Sequence, residues 1–254
     1  MLDPQFGEFP TRWDLMILLL AIVGGSVDAV MILGFNVLTG AQTGNTVLLG
    51  VAVAQGQLAT ALGSIISVIG YIIGAAIGEL IIVRHREHWP WPSVVSTVLI
   101  AELIPLCCLL IFWRLAGPHP AQETMYTLII YAASAMGIQS AAMLCLHNSP
   151  TTTYITGTLT TFATKLIRWL RLVEGASHSS PGRRDLVMQQ FSAIDSLWIY
   201  GLTWFVYVTG AIAGGLLFLH TRELALLLSI VAIVLVVVAA RRAEIEGQAA
   251  ATEI

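Results

Sequence analysis

The sequence predicts an all-α polytopic membrane protein of two structural repeats, read as inverted, with about six full transmembrane helices and two short re-entrant or half helices. Three observations carry this expectation. The chain has 254 residues, 57% of them hydrophobic and only 11% charged, with a mean hydropathy of +0.83; a soluble domain carries about 25% charged residues. Apolar runs recur at the ~20-residue length that crosses a hydrocarbon core. Two short polar, glycine-containing motifs interrupt those runs at matching places.

The runs that meet the spanning length are 13–35, 61–83, 94–113, 125–145, 197–219 and 224–240. Residues 1–13 contain both signs of charge and Pro10, so the first run is expected to be a span and not a cleaved leader. Two further stretches, 43–55 and 153–172, fit less well. The first is too short to cross alone. The second contains Lys165, Arg168 and Arg171, which are costly deep in lipid. Basic residues gather at 84–88, at 165–184 and at Arg241 and Arg242, and the positive-inside rule places such clusters in the cytoplasm. If both ambiguous stretches crossed, the first two clusters would fall on opposite sides. If both are re-entrant, every cluster lies inside and both termini are cytoplasmic, which is the preferred scheme. Re-entrant backbone then requires protein or water around it, because lipid offers its amides no partner.

"GSVDAVMIL" from Gly25 parallels "GIQSAAMLC" from Gly137, "TGNTVLLG" from Thr43 parallels "TGTLTTFA" from Thr156, and "YIIGAAIGELI" from Tyr71 parallels "YVTGAIAGGLL" from Tyr207. Small residues are common in membrane helices, so one match means little. Three in the same order divide a single membrane domain into a first repeat, 12–117, and a second, 124–242, the latter carrying a cytoplasmic loop at 173–196. With three crossings per half the second half is inverted. Inverted repeats with discontinuous helices are a transporter signature, with the solute near the midplane.

The blocks "GGSVDAVMILGF…TGNTVLLG" and "GIQSAAM…TTYITGTLT" resemble the YoaK-like family of bacterial inner-membrane proteins, a likeness that extends from about Arg12 to Arg242. The resemblance implies a multi-helix protein of the bacterial inner membrane and points to no particular substrate.

Asp28 lies about two-thirds along the first run, where an ionisable residue is a functional candidate by default. Its counterpart in the second repeat is Ser140, so a site built on both would be asymmetric. Glu102, three residues before Pro105, is also mid-span, and proline kinks a helix by removing a backbone donor. Asp28 and Glu102 are the candidate proton-coupling groups, weighed against acids kept for packing. Thr43, Gly44 and Asn45, with Thr156, Gly157 and Thr158, form two expected helix starts. Unpaired amides and the helix dipole make such starts fit for an anion, weighed against plain capping without a ligand. Thr39, Gln42, Thr152 and Thr153 are further lining candidates. Glu79, near a span end, is read as snorkelling to water. The glycine pairs Gly74–Gly78 and Gly210–Gly214 suit helix packing, His147 and Asn148 an interfacial position, and Trp89, Trp91, Trp113, Trp198 and Trp204 an interfacial belt.

The expected function is a small secondary transporter or channel-like permease for a small polar or anionic solute, with membrane lipid and a second copy of the chain as partners. The alternatives are a membrane-embedded enzyme and a non-transporting accessory or sensor subunit. The sequence contains neither HExxH nor GxSxG, the commonest signatures of metal or serine hydrolysis, so no catalytic residue, metal or cofactor is expected. Cys107, Cys108 and Cys145 lack ligand spacing and are read as core residues. The scattered basic clusters do not form the stripe that nucleic acid requires.

Overall fold

Inside a bilayer every backbone amide must be satisfied within the protein, which leaves helices as the economical solution for an apolar chain. The computed structural model describes residues 12–84, 93–146, 149–153, 155–177 and 197–252, and all its regular elements are helical. They are α1 (Arg12–Phe35), α2 (Gln42–Ala54), α3 (Leu58–Arg84), α4 (Ser93–Ala116), α5 (Gln122–Cys145), α6 (Ile155–Ser177), α7 (Leu197–Thr221), a 3-10 turn (Arg222–Ala225) and α8 (Leu226–Thr252). His147, Asn148, Trp89, Trp91, the basic cluster beyond Arg84 and the loop beyond Ser177 lie outside the described residues.

Among the described residues, five continuous runs are long and apolar enough to cross a membrane: Trp13–Phe35, Leu58–Arg84, Ser93–Ala116, Gln122–Cys145 and Leu197–Ile245. The last, at 49 residues, would be about twice the length of a crossing if it were one helix. It is two helices, α7 and α8, broken at the 3-10 turn where Arg222 adopts a φ of 52°. The chain is therefore an all-α polytopic membrane protein, and its six apolar segments fall on α1, α3, α4, α5, α7 and α8.

The two ambiguous stretches become helices of unequal length. α2 has 13 residues, about 20 Å, too short for a ~30 Å core. α6 has 23 residues and runs into the segment read as loop, so it is longer than a half helix. The helix formers Leu172, Glu174 and Ala176 extend it. Its basic residues keep it out of the apolar spanning set.

Small residues set how the spans cross. A Cβ on Gly25 of α1 would strike the Tyr207 carbonyl of α7 and lie 2.9 Å from the Ala211 nitrogen. A Cβ on Gly137 of α5 would strike the Tyr71 carbonyl of α3 and lie 2.7 Å from the Ala75 nitrogen. Gly210 and Gly214 meet Ile22 and Ser26 of α1, while Gly74 and Gly78 meet Ser134, Ile138 and Ala141 of α5. α1 thus packs on α7, and α5 on α3, through backbone-to-backbone approaches at matching positions. α2 lies on α3 as α6 lies on α7, and α4 packs on α5 as α8 packs on α1. The apolar windows of α1 and α5 are 72% and 78% buried against 28% for α3, which puts α1 and α5 at the centre and turns one side of α3 outward.

One tryptophan departs from the expected belt. Trp113 is buried, its ring 4.5 Å from that of Phe35 and 5.9 Å from that of Phe218. Helix packing at the end of α4 overrides its preference for the lipid–water boundary. Trp198 and Trp204 stay exposed and Glu79 faces outward, while the three cysteines are partly buried and form no disulfide among the described residues.

Candidate functional site

α1 ends at Phe35, and Asn36, with a φ of 56°, turns the chain back along the helix it has just left. Asparagine tolerates this left-handed conformation better than other side chains bearing a Cβ. The returning segment reaches Asp28, two turns before the helix end. Asp28 Oδ1 accepts hydrogen bonds from the amides of Thr39 and Gly40, both at 2.7 Å, and from the Thr39 hydroxyl at 3.2 Å. Oδ2 accepts from the Ala41 amide at 3.2 Å and from the Tyr207 hydroxyl at 2.8 Å. Successive amides that converge on one group form an anion-holding concavity. Here its occupant is the protein's own carboxyl group, buried at 3% exposure. α2 starts immediately afterwards, at Gln42, without any side-chain cap from Ala41. Asp28 instead bonds the three amides ahead of the helix, those of residues 39–41, and so fixes the lead-in to α2.

Asn45 braces the same turn. Its Oδ1 accepts from the Leu38 amide at 2.9 Å, and its Nδ2 donates to the Leu38 carbonyl, to Gln42 Oε1 at 2.8 Å and to Ser67 Oγ at 2.9 Å. All its polar atoms are bonded within the protein, and it is fully buried. Gly44 packs on Leu38, and Thr43 lies on the exposed side of α2.

In the second half the described residues 149–153 ahead of α6 are held by different chemistry. Ser140, which aligns with Asp28 when the two similar sequence blocks are laid together, donates to the Met136 carbonyl at 2.8 Å and shares a 2.6 Å hydrogen bond with the Thr153 hydroxyl. Gln139 Nε2 donates to the Leu20 carbonyl at 2.9 Å and to Thr152 Oγ1 at 2.7 Å. Its Oε1 is buried with no partner among the described residues. Thr158 Oγ1 donates to the Thr151 carbonyl, seven residues earlier, at 3.0 Å, spanning the same interval as Asn45 and Leu38. Gly157 is half-buried and Thr156 is exposed, as is Thr43.

The two lead-in segments meet. A Cβ on Gly40 would lie 3.2 Å from Asp28 Oδ2 and 3.4 Å from Thr153 Cγ2, and one on Gly24 would lie 3.0 Å from the Thr152 carbonyl. Asp28, Thr39, Ser140, Thr152 and Thr153 are thus assembled between α1, α5 and α7. What converges is the residues before α2 and α6, and not Thr43 or Thr156 themselves. Glu102 is elsewhere, on the inner face of α4, and has no bond to this network. An open groove lined by Phe35, Asn36, Gly63 and Met125 sits at the end of α1, apart from Asp28. Among the described residues no three His, Cys, Asp or Glu side chains gather to hold a metal.

Sequence reasoning passed over Tyr207 and Gln139. Both stood in the matched repeat segments, Tyr207 as the residue opening "YVTGAIAGGLL" and Gln139 beside Ser140. For Gln139 the available signal was a polar group in an apolar span beside Ser140, and for Tyr207 a hydroxyl-bearing ring opening a matched segment.

Residues 16–240 match a family described as "Protein of unknown function (DUF1275)". Over 146 residues the chain is 36% identical to the "UPF0700 transmembrane protein YoaK" of Bacillus subtilis (strain 168), a stretch covering 56% of this chain and 61% of that relative. No solved structure matches.

Proposed function

The chain belongs to the DUF1275 family, a multi-pass membrane family with a YoaK-like relative, and we propose that it is a small secondary transporter or channel-like permease for a small polar or anionic solute, made of two inverted halves. The observation that carries this reading is the meeting of the two lead-in segments deep in the bundle, one holding a carboxyl group on three amides and the other lined with hydroxyls. Position for position, the first half offers Asp28 where the second offers only Ser140. A small polar solute that offers an O–H or N–H donor to the unpartnered Gln139 oxygen, beside Thr152 and Thr153, would complete the polar network of the second half. Asp28, Thr43, Gly44 and Asn45 then frame one side of the pathway, and Ser140, Thr156, Gly157 and Thr158 the other.

Helix lengths support re-entry. Starting at mid-depth, a helix leaves the ~30 Å core after ~15 Å, which is ten residues. Lys165 stands ten residues after Ile155, where α6 begins. α2 begins level with Asp28 and ends at Ala54, just before Gln55 and Gln57. Gly63 of α3 packs by Val37, and the groove at the end of α1 also contains Ala59 and Met125, so α1 ends on the face where α3 and α5 begin. This scheme puts Arg84, Lys165, Arg168, Arg171, Arg241 and Arg242 on one side and leaves Arg114 and Arg222 on the other, the asymmetry of a cytoplasmic face with both termini inside the bacterial inner membrane. Six crossings are few for alternating access, so the working unit in this reading is a homodimer.

Metabolite profiling of a deletion strain names candidate solutes, and uptake into proteoliposomes tests them. Solute-dependent flux lost in Ser140→Asp, which fills the second half with a carboxylate, is the expected result; flux absent for every profiled solute overturns transport. Single cysteines at Gln57 and Arg242, on a background free of the native cysteines, are expected to react with an impermeant maleimide from opposite sides. Reaction from one side breaks the topology. The competing reading, a non-transporting accessory subunit, is favoured by the completeness of Asp28's bonding, which leaves that carboxyl group nothing further to bind.

A further inference from the structure

Glu102 is the second mid-membrane acid, and its setting is the reverse of Asp28's. α4 turns Val95, Val98, Leu99, Leu106 and Leu109 into the bundle, all at 0% exposure, and Glu102 stands in the same stripe at 0%. Neither Oε1 nor Oε2 has a hydrogen-bond partner among the described residues. The elements packed on α4 carry Tyr71, Glu79 and Arg84 (α3), Glu123, Tyr126 and Tyr131 (α5), Arg222 and Glu223 (the 3-10 turn), and Arg241, Arg242 and Glu244 (α8). None of these bonds to it. An ionised carboxylate without a partner in such surroundings costs several kcal/mol or more, whereas the neutral acid costs far less. A second feature of the same turn points the same way. Pro105 has no N–H to give the Ala101 carbonyl, its i−4 partner. This stretch of α4 therefore holds unpaired acceptors and lacks a donor, and a carboxyl group becomes a donor only when it holds a proton.

We propose that Glu102 is the proton-carrying site of this protein, a carboxylic acid that keeps its proton at neutral pH inside the bundle, while Asp28 is a fixed acceptor that holds the α2 lead-in. The division reassigns the coupling role between the two acids. It does not depend on the transport reading, because both measurements below address the carboxyl group itself.

The experiment uses the full-length protein in lipid nanodiscs. Dicyclohexylcarbodiimide adds to protonated carboxylic acids in apolar surroundings, and peptide mass spectrometry locates the adduct. At neutral pH the expected labelling is at least tenfold greater at Glu102 than at Asp28. Infrared spectroscopy at the same pH is expected to find the carbonyl stretch of a protonated acid, present in wild type and Asp28→Asn and lost in Glu102→Gln. Glu102→Gln imitates the protonated form and is expected to keep the wild-type melting temperature within a few degrees. Absence of the infrared band, its loss in Asp28→Asn instead, or a Glu102→Gln protein that fails to fold each overturns the proposal. If transport fails for every solute while band and adduct persist, Glu102 stands and only the transport reading falls.

Discussion

The segments that lead into α2 and α6 occupy matching places and touch at Gly40 and Thr153, yet they are held by different means. In the first, one carboxyl group gathers three consecutive amides, a hydroxyl and a phenol. In the second, Ser140, Gln139, Thr152 and Thr153 form neutral pairs and leave one amide oxygen over. A backbone route can thus be kept while its chemistry is exchanged. The bracing bonds seven residues apart, Asn45 to Leu38 and Thr158 to Thr151, hold each turn and leave the central side chain free to differ.

The contrast breaks first at Asp28. Asp28→Ala strands the amides of residues 39–41 and the Tyr207 hydroxyl, and it is expected to cost about 3–5 kcal/mol, read by denaturant unfolding in detergent. Next come the matched crossings. Gly25→Ala and Gly137→Ala each drive a Cβ into a carbonyl of the facing helix, and both are expected to lose about 1–3 kcal/mol, to similar extents. If only one destabilises, the two crossings are not equivalent. Tyr207→Phe removes a single donor from Asp28 and is expected to cost about 1.5–3 kcal/mol, with the three amides still in place. Ser140→Ala should be mildest of all, about 0.5–1.5 kcal/mol, because Thr153 loses one neutral partner. If Ser140→Ala proves as damaging as Asp28→Ala, the two lead-ins are equally dependent on their central side chain.

Much of the fold was legible because its cause is local. The spans follow from apolar length, the glycine pairs mark the close crossings, and the echo between "TGNT" and "TGTL" located the two interruptions. Asp28 and Ser140 were legible as a pair because an acid and a hydroxyl stand at the same place in two similar sequence blocks. Other features had no local signal. Asp28 bonds residues eleven to thirteen positions ahead, a spacing of no regular element, reached only because Asn36 reverses the chain. Tyr207 arrives from 179 residues away. α6 runs on to Ser177, into the segment read as loop from 173, because helix propensity continues where fit to lipid has already stopped.

By itself the sequence determined that this chain resides in a membrane, how many helices are apolar enough to cross it, and where small polar residues interrupt them. Those properties depend on transfer of side chains from water and on backbone amides that lipid cannot satisfy, both of which are additive along the chain. Tertiary structure alone decided which acid is compensated. Asp28 and Glu102 look alike in sequence, each a single carboxyl group in an apolar run. Packing surrounds one with five donor bonds and the other with none among the described residues, because hydrogen bonds act over about 3 Å and depend on what the fold brings that close.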